Sequence, residues 1–252
     1  MILSNRHAVV TGGATGIGLA ITRALCAAGA RVSIMGRNLQ RLEDVAQTDE
    51  KINAIQVDVT DPESVQLAFK KASALCPISI LINNAGVVET ATFQKTSYLQ
   101  WQNMLSVNLT GTFLTTQAAL NDIKAAVSGR IINIASTSGL RGYAYTSAYC
   151  AAKHGVIGLT RSLAIELSST KVTVNAICPG YTNTDIVDKA IQNITDKTKR
   201  NAEQALSELV ETNPQKRLIE PEEIAETVLW LCNPLSHSIT GQSIMIAGGE
   251  LM

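Results

Sequence analysis

The sequence predicts an α/β protein built on a doubly wound, seven-stranded parallel sheet with helices on both faces. Three observations predict it. Short β-branched runs alternate with helix-length segments along the 252 residues, the rhythm of repeated βαβ units. Several of these runs are apolar throughout, as parallel strands covered on both faces must be. The first run leads into the glycine-rich turn Thr11-Gly12-Gly13-Ala14-Thr15-Gly16-Ile17-Gly18, and a helical pattern starts inside that turn.

In chain order, the strand runs are His7–Val10, Arg31–Met35, Ile52–Val57, Ile78–Ile82, Arg130–Ala135, Val172–Ile177 and Ser243–Ile246. Helical patterns over Gly16–Ala28, Pro62–Leu75, Ser97–Ala126 and Ser147–Leu167 lie between them. Within the third, Asn108 with a glycine three residues later is poor helix chemistry and predicts a local irregularity. From Tyr181 to Pro221 the strand rhythm stops. That stretch is polar but keeps helical periodicity at Ile186, Ala190 and Ile194 and again at Ala205, Leu206 and Leu209. An insertion of that size reads as a lid over about residues 181–221. No repeat, low-complexity segment or linker divides the chain, so residues 1–252 read as a single domain.

Composition excludes several classes. Apolar residues make up 46% and charged residues 17%, a globular balance. Net charge is zero and no basic stripe stands out, which argues against a nucleic-acid partner. No apolar run approaches the ~18 residues of a membrane span. The start, Met1-Ile2-Leu3-Ser4-Asn5-Arg6, reads as the lead-in to a strand and not as a signal peptide. The five cysteines are scattered without a CxxC pair. This predicts reduced thiols in a cytoplasmic protein and no zinc site.

The glycine turn sits where a dinucleotide pyrophosphate would lie. Glycines at 12, 16 and 18 allow a tight turn, close backbone approach and close helix–strand packing. The helix start offers unpaired N–H groups and a positive dipole end. At the end of the second strand, an acidic residue would hold the ribose hydroxyls of NAD. The chain has Gly36-Arg37-Asn38 there. Glycine removes the carboxylate that repels a 2′-phosphate and arginine supplies a forked cation, so NADP(H) is predicted over NAD(H). The alternative for Arg37 is a solvated cap on the next helix.

Tyr149 and Lys153 stand at i and i+4 and share one helix face. A free phenol, with a pKa of about 10, is too weak an acid for work near neutrality. A nearby ammonium would favour the phenolate, so a lowered Tyr149 pKa is expected. Tyr143 and Tyr145 have no lysine four residues on.

Thr11-Gly12, Gly16-Ile17-Gly18, Asn83-Asn84-Ala85-Gly86, Asn108, Ser136, Tyr149-x-x-x-Lys153 and Pro179-Gly180 occur in that order. In their order and intervals they resemble the short-chain dehydrogenase/reductase family over essentially the whole chain. The resemblance implies a Rossmann-type, NAD(P)-binding oxidoreductase that passes hydride directly between nicotinamide and a substrate carbon, without metal. By it, Tyr149 is the general acid or base and Ser136 steadies the substrate oxygen. Lys153 holds the nicotinamide ribose and lowers the tyrosine pKa, and Asn108 orders a relay water. Thr11, Gly12, Gly16, Ile17 and Gly18 would hold the pyrophosphate. Asp58 and Val59 would meet the adenine, and Asn84, Ala85 and Gly86 would shape the adenine-side ribose wall. Pro179, Gly180 and Thr184 would lie beside the nicotinamide. Asp58 and Thr184 have helix capping as their alternative roles.

One departure is visible. The family often places an acidic residue before two glycines near the end, where this chain has Ala247-Gly248-Gly249. The resemblance also implies a homo-oligomer, a homotetramer, through the Ser97–Ala126 and Ser147–Leu167 helices. In pattern it looks most like the reductases of 3-oxoacyl thioesters. Lys189, Lys197, Lys199, Arg200, Lys216 and Arg217 of the lid could meet the phosphates of coenzyme A or a carrier protein. A solvated face is the alternative for these cations. An alcohol, polyol or cyclic hydroxy compound is the alternative substrate, and a non-catalytic cofactor-binding protein the remote alternative function.

Overall fold

The computed structural model describes residues 1–251, the side chain of Lys197 apart. Strands β1 (His7–Thr11), β2 (Arg31–Gly36), β3 (Ile52–Gln56), β4 (Ile80–Asn83), β5 (Gly129–Ile134), β6 (Val172–Pro179) and β7 (Ser243–Ile246) form one sheet. Their order is β3-β2-β1-β4-β5-β6-β7, and every pairing is parallel. The strand order reverses direction between β1 and β4. In such sheets the crevice outside the strand carboxyl ends at that switch point takes the ligand.

The helices are α1 (Gly16–Ala27), α2 (Leu39–Ala46), α3 (Pro62–Leu75), α4 (Tyr98–Leu105), α5 (Gly111–Ala125), α6 (Ser147–Glu166), α7 (Asp185–Lys197), α8 (Ala202–Leu209) and α9 (Pro221–Cys232). Successive strand residues face opposite sides of the sheet. Val10, Ile82 and Ile132 enter one core with Ile21 and Leu25 of α1 and Ile224 and Val228 of α9. Val9, Leu81 and Ile131 enter the other with Phe69 of α3, Ile123 of α5 and Ala164 of α6. Both faces are covered, which is why these strands are apolar at consecutive positions.

A buried polar chain crosses between the central strands. Thr115 of α5 donates to Asn83 at the end of β4 (2.7 Å). Asn83 donates to Asn133 of β5 (2.8 Å), and Asn133 to Thr160 of α6 (2.8 Å). All four side chains are buried. Satisfied networks of this kind fix a unique arrangement, because any slip would leave a buried polar group unpaired. This one ties α5 and α6 to the strands between them.

The strand runs read from sequence lie within one or two residues of the observed strands, and Pro62–Leu75 has the same ends. The Ser97–Ala126 helix needs correction. It is α4 and α5 joined by one π turn, Ser106–Thr110, centred on Asn108. The predicted irregularity is therefore an extra residue in the hydrogen-bond ladder. Segment 181–221 carries α7 and α8, and its two ends meet. Thr182 and Ile219 form a parallel bridge. The Ile219 amide donates to Tyr181 O and the Asn183 amide to Ile219 O, both at 2.9 Å. No helix among the described residues is long and apolar enough to cross a membrane.

Candidate active site

The glycine turn is held by the end of β4. Gly12 and Gly16 have φ of +66° and +47°, the left-handed region that favours glycine. Gly18 has a different reason. A Cβ there would stand 2.1 Å from the Gly12 carbonyl oxygen. Thr11 Oγ1 accepts the backbone amides of Asn84 and Ala85, both at 3.0 Å. The Asn84 amide group donates back to the carbonyls of Thr11 (3.0 Å) and Gly12 (3.2 Å). Thr11 and Asn84 thus fasten the ends of β1 and β4, and the start of α1 is left to face a ligand. The cradle is one that side chains at 12, 16 or 18 would fill or distort, and it suits a pyrophosphate.

At the end of β2, Gly36 needs no explanation from packing or strain. Its φ lies outside the left-handed region, and a Cβ would meet only Leu42 at 3.8 Å. Arg37 is exposed. The cap of α2 is Asn38, whose side chain accepts the Arg41 amide at 3.1 Å, so capping is not Arg37's task. Asp58 is also relieved of its alternative role. The cap of α3 is Asp61, accepting the Glu63 amide at 3.0 Å. Asp58 Oδ1 accepts from the Thr60 amide (2.9 Å) and hydroxyl (2.7 Å). Those two bonds hold its carboxyl below the usual range, with nearby Arg37 adding to the effect. Val59 packs on Gly111, where a Cβ would approach its methyl to 2.9 Å.

The second cluster lies at the carboxyl ends of β4, β5 and β6. Asn108 is buried. Its side-chain amide donates to Val87 O and Met104 O, both at 3.0 Å, and its Oδ1 accepts the Val87 amide at 3.2 Å. Gly86 closes against this group, since a Cβ there would stand 2.8 Å from Asn108 Oδ1. Lys153 is buried, and its Nζ donates to the Ile134 carbonyl at 2.8 Å. That nitrogen lies 5.6 Å from the Tyr149 ring centre. Ser136 is half-buried, whereas its neighbours Thr137 and Ser138 are buried. Its Oγ accepts the Ser138 amide at 3.1 Å. His154, exposed, bonds the Cys150 carbonyl and faces away.

The electrostatics correct one expectation. Tyr149 does not have a lowered pKa in the protein alone. Burial pushes its phenol up to about 12, and the Ser136 hydroxyl opposes that shift without reversing it. Burial also brings the Lys153 ammonium down to about 8. Desolvation dominates at Tyr149, and Lys153 is itself turned to the Ile134 carbonyl.

Thr184 precedes α7 but its hydroxyl caps nothing there; it donates to Thr182 O at 3.2 Å. Gly180 follows Pro179 at the end of β6, and its amide donates to Ile246 O of β7 at 3.0 Å. Among the cations expected to meet phosphate, Arg200 pairs with Glu208 at 3.2 Å and Arg217 makes a two-pronged pair with Glu223. Lys216 Nζ donates to Glu211 O at 2.5 Å. These three lean towards the solvated-face reading. The Lys197 side chain lies outside the described residues.

Sequence reading missed one residue of this region. The acid sought before the tail glycines stands after them, at Glu250. Its Oε1 accepts the Tyr143 hydroxyl at 2.6 Å and the Thr212 hydroxyl at 3.0 Å. A charged residue between Gly249 and Leu251 in an otherwise apolar tail was the available signal.

A doubly wound parallel sheet with a glycine cradle at one side of its switch point and a tyrosine–lysine pair at the other defines a nicotinamide-dependent oxidoreductase acting between carbonyl and alcohol. The family model described as short chain dehydrogenase matches residues 6–215, and the chain belongs to that family. It is 38% identical over 253 residues to a 3-oxoacyl acyl-carrier-protein reductase of Aquifex aeolicus (strain VF5), covering 98% of each chain. It is 34% identical over 254 residues to a D-beta-hydroxybutyrate dehydrogenase of Rhizobium meliloti (strain 1021), covering 97% of this chain and 98% of that one. A crystal structure of a point variant of actinorhodin polyketide ketoreductase with NADPH superposes with a TM-score of 0.93. It has 31% identity and covers 98% of this chain and 97% of that one.

Proposed function

We propose that the chain is an NADPH-dependent reductase of 3-oxoacyl thioesters, carried by coenzyme A or a carrier protein. The observation that carries the reaction type is the convergence of Ser136, Tyr149, Lys153 and Asn108 at the ends of β4, β5 and β6. When bound, the dinucleotide supplies the hydride. The protein's own groups handle the proton. Tyr149, neutral at pH 7 with its phenol near 12, is suited to donate to the oxygen that gains charge. Ser136 would hydrogen-bond the same oxygen. Lys153 would hold the nicotinamide-side ribose hydroxyls, and its charge stabilises the phenolate left after donation. Asn108 holds Val87 and Met104 in place around the proton path, and residues 181–221 act as a lid.

Gly36 and Arg37 support NADP(H) over NAD(H). The glycine leaves space with no packing reason for it, and the arginine is exposed with no capping duty. Thr11, Gly12, Gly16, Ile17 and Gly18 would take the pyrophosphate. Asp58 and Val59 would take the adenine end, Asn84, Ala85 and Gly86 the wall between, and Pro179, Gly180 and Thr184 the nicotinamide end. The two relatives' names share oxygen chemistry at the third carbon of an acyl chain, which supports a 3-oxo substrate. Exposed Tyr98, Leu99 and Phe113 of α4 and α5 and Ile165 of α6 support a homo-oligomer, a homotetramer, through these long helices. The free cysteines support a reducing, cytoplasmic compartment.

The test is NADPH oxidation with a short 3-oxoacyl coenzyme A, wild type against Tyr149→Phe. Turnover by the wild type, lost in the variant while NADPH still binds, is the expected result. Turnover retained in Tyr149→Phe would remove Tyr149 from the role of acid.

A further inference from the structure

A residue just before the proposed acid has a backbone conformation that its own side chain opposes. Tyr145, four residues ahead of Tyr149, has φ +68°. A Cβ makes this left-handed region unfavourable, and a bulky side chain there is an outlier. The ring is 65% exposed, so packing of the side chain does not hold the conformation. A residue kept in such a state is over-determined by its surroundings, and such residues gather at functional sites.

The carbonyl of Tyr145 supplies the reason. It accepts the Ala91 amide at 2.9 Å. Ala91 lies on the stretch that leaves β4 and Tyr145 on the stretch that leaves β5, and these strands are parallel neighbours. The bond closes a ring of links over their carboxyl ends. Val87 is bonded to Asn108, Ala91 to Tyr145, and α6 starts two residues after Tyr145. Lys153 of α6 returns to β5 through Ile134 O, two residues before Ser136. The ring is narrow, since a Cβ on Gly86 would stand 2.8 Å from Asn108 Oδ1 and 3.8 Å from Lys153 Nζ.

The start of α6 depends on this bond. Thr146, its cap, makes no capping bond, and its hydroxyl turns back to Tyr143 O at 3.1 Å. Tyr143 is tied to Glu250 through its side chain, farther from the helix. Among the described residues, the Ala91 bond is the one backbone hydrogen bond that joins residues 140–146 to the chain outside 137–150.

We infer that Tyr145 is a positioning residue: its left-handed turn aims its carbonyl at Ala91, and that bond sets where the first turn of α6 holds the Tyr149 hydroxyl relative to Ser136. The inference rests on the proposed role of Tyr149 as the acid. Tyr149 is the third residue of α6, so a shift in that turn moves its hydroxyl directly. A displacement of about 1 Å is enough to slow a reaction by ten-fold or more.

Tyr145→Asn and Tyr145→Val test this. Both remove an exposed ring, but asparagine tolerates a left-handed backbone and a β-branched residue does not. With NADPH and a short 3-oxoacyl coenzyme A, Tyr145→Asn is expected to keep kcat within about two-fold of wild type. Tyr145→Val is expected to lose about ten-fold in kcat, with KM for the thioester and affinity for NADPH changed less than about two-fold. Hydrogen exchange of two amides, followed by NMR, reads the same positions without substrate. They are Ala91 and Cys150, which donates to Thr146 O at 2.8 Å in the first turn of α6. Both should exchange faster in Tyr145→Val and as in wild type in Tyr145→Asn. Equal loss of kcat in the two variants assigns the role to the ring, and no loss in either, or an unprotected Ala91 amide in wild type, removes the link. Each of these overturns the inference and leaves the proposed function standing. A wild type that leaves the thioester unreduced counts against the proposed substrate instead, and the exchange comparison then decides on Tyr145 alone.

Discussion

Gly16, in the cofactor turn, lies against Thr184, the residue that opens α7: a Cβ on Gly16 would meet the Thr184 γ-methyl at 3.0 Å. The first turn of the chain and the start of the 181–221 segment therefore share one point of contact, 168 residues apart in sequence (184 less 16). Gly16→Ala should both strain a backbone at φ +47° and push Thr184 away. A left-handed alanine costs roughly 1–2 kcal/mol, so NADPH affinity should fall about ten-fold. Thr184→Val keeps the methyl and removes only the hydroxyl, so its affinity separates the contact with Gly16 from a hydroxyl role at the nicotinamide end. Fluorescence titration of NADPH measures both, and a large loss in Thr184→Val would assign the role to its hydroxyl.

Lys153 makes the cofactor-free protein more stable as pH rises from about 8 towards 10.5. Its folded pKa is lowered to about 8 from an ordinary 10.5. Below pH 8 both states hold the proton and the burial penalty is present in full. Between the two values the unfolded chain binds more protons, so stability rises with pH. The rise is at most about 3 kcal/mol. Tyr149, raised to about 12, acts in the opposite sense above pH 10, where the unfolded chain loses its proton first. Lys153→Met should flatten the rise. Urea denaturation of both proteins across pH 7–10.5 gives a difference curve that isolates this group, and a flat difference would show that Lys153 is not desolvated.

The sheet was legible in the sequence because burial on both faces writes itself as apolar runs, and the glycine turn because close approach leaves few other residues. Asn108 was legible as a flaw in a helix, but not as a π turn. Its place is set by Val87, 21 residues upstream, through two hydrogen bonds that no local pattern records. The Tyr149 pKa was misread for a related reason. Spacing places a lysine near the ring, but only the folded chain shows the ammonium spent on Ile134 O and the phenol desolvated. Glu250 and Tyr143 are 107 residues apart, beyond any spacing rule.

Asn108→Leu should destabilise the protein as well as slow it. The Val87 amide and carbonyl would both lose their partner, at about 1–3 kcal/mol for each buried group left unpaired. The thermal midpoint should drop by several degrees. A variant with an unchanged midpoint and lost turnover would show instead that Asn108 acts on the reaction alone.

Gly36→Asp combined with Arg37→Leu should invert the cofactor preference. The new carboxylate would repel a 2′-phosphate and accept from ribose hydroxyls. A Cβ at position 36 has room, since only Leu42 is near it at 3.8 Å, so the thermal midpoint should barely move. The ratio of kcat/KM for NADPH to that for NADH is the readout. A ratio unchanged in a folded variant would place the specificity elsewhere.

The bridge between Thr182 and Ile219 makes the segment between them a cassette. Its two ends leave and return at one point, fixed by backbone hydrogen bonds at 2.9 Å on either side. Inside those ends the segment also meets the rest of the molecule at Thr184, against Gly16, and at Thr212, bonded to Glu250. Helices of other lengths or surfaces could be spliced between 185 and 211 without moving a strand, because closing a longer loop across a fixed base adds only about 0.6 kcal/mol per doubling. Such an architecture lets the segment proposed to cover the substrate be rewritten while the groups proposed to perform the reaction stay where the sheet puts them.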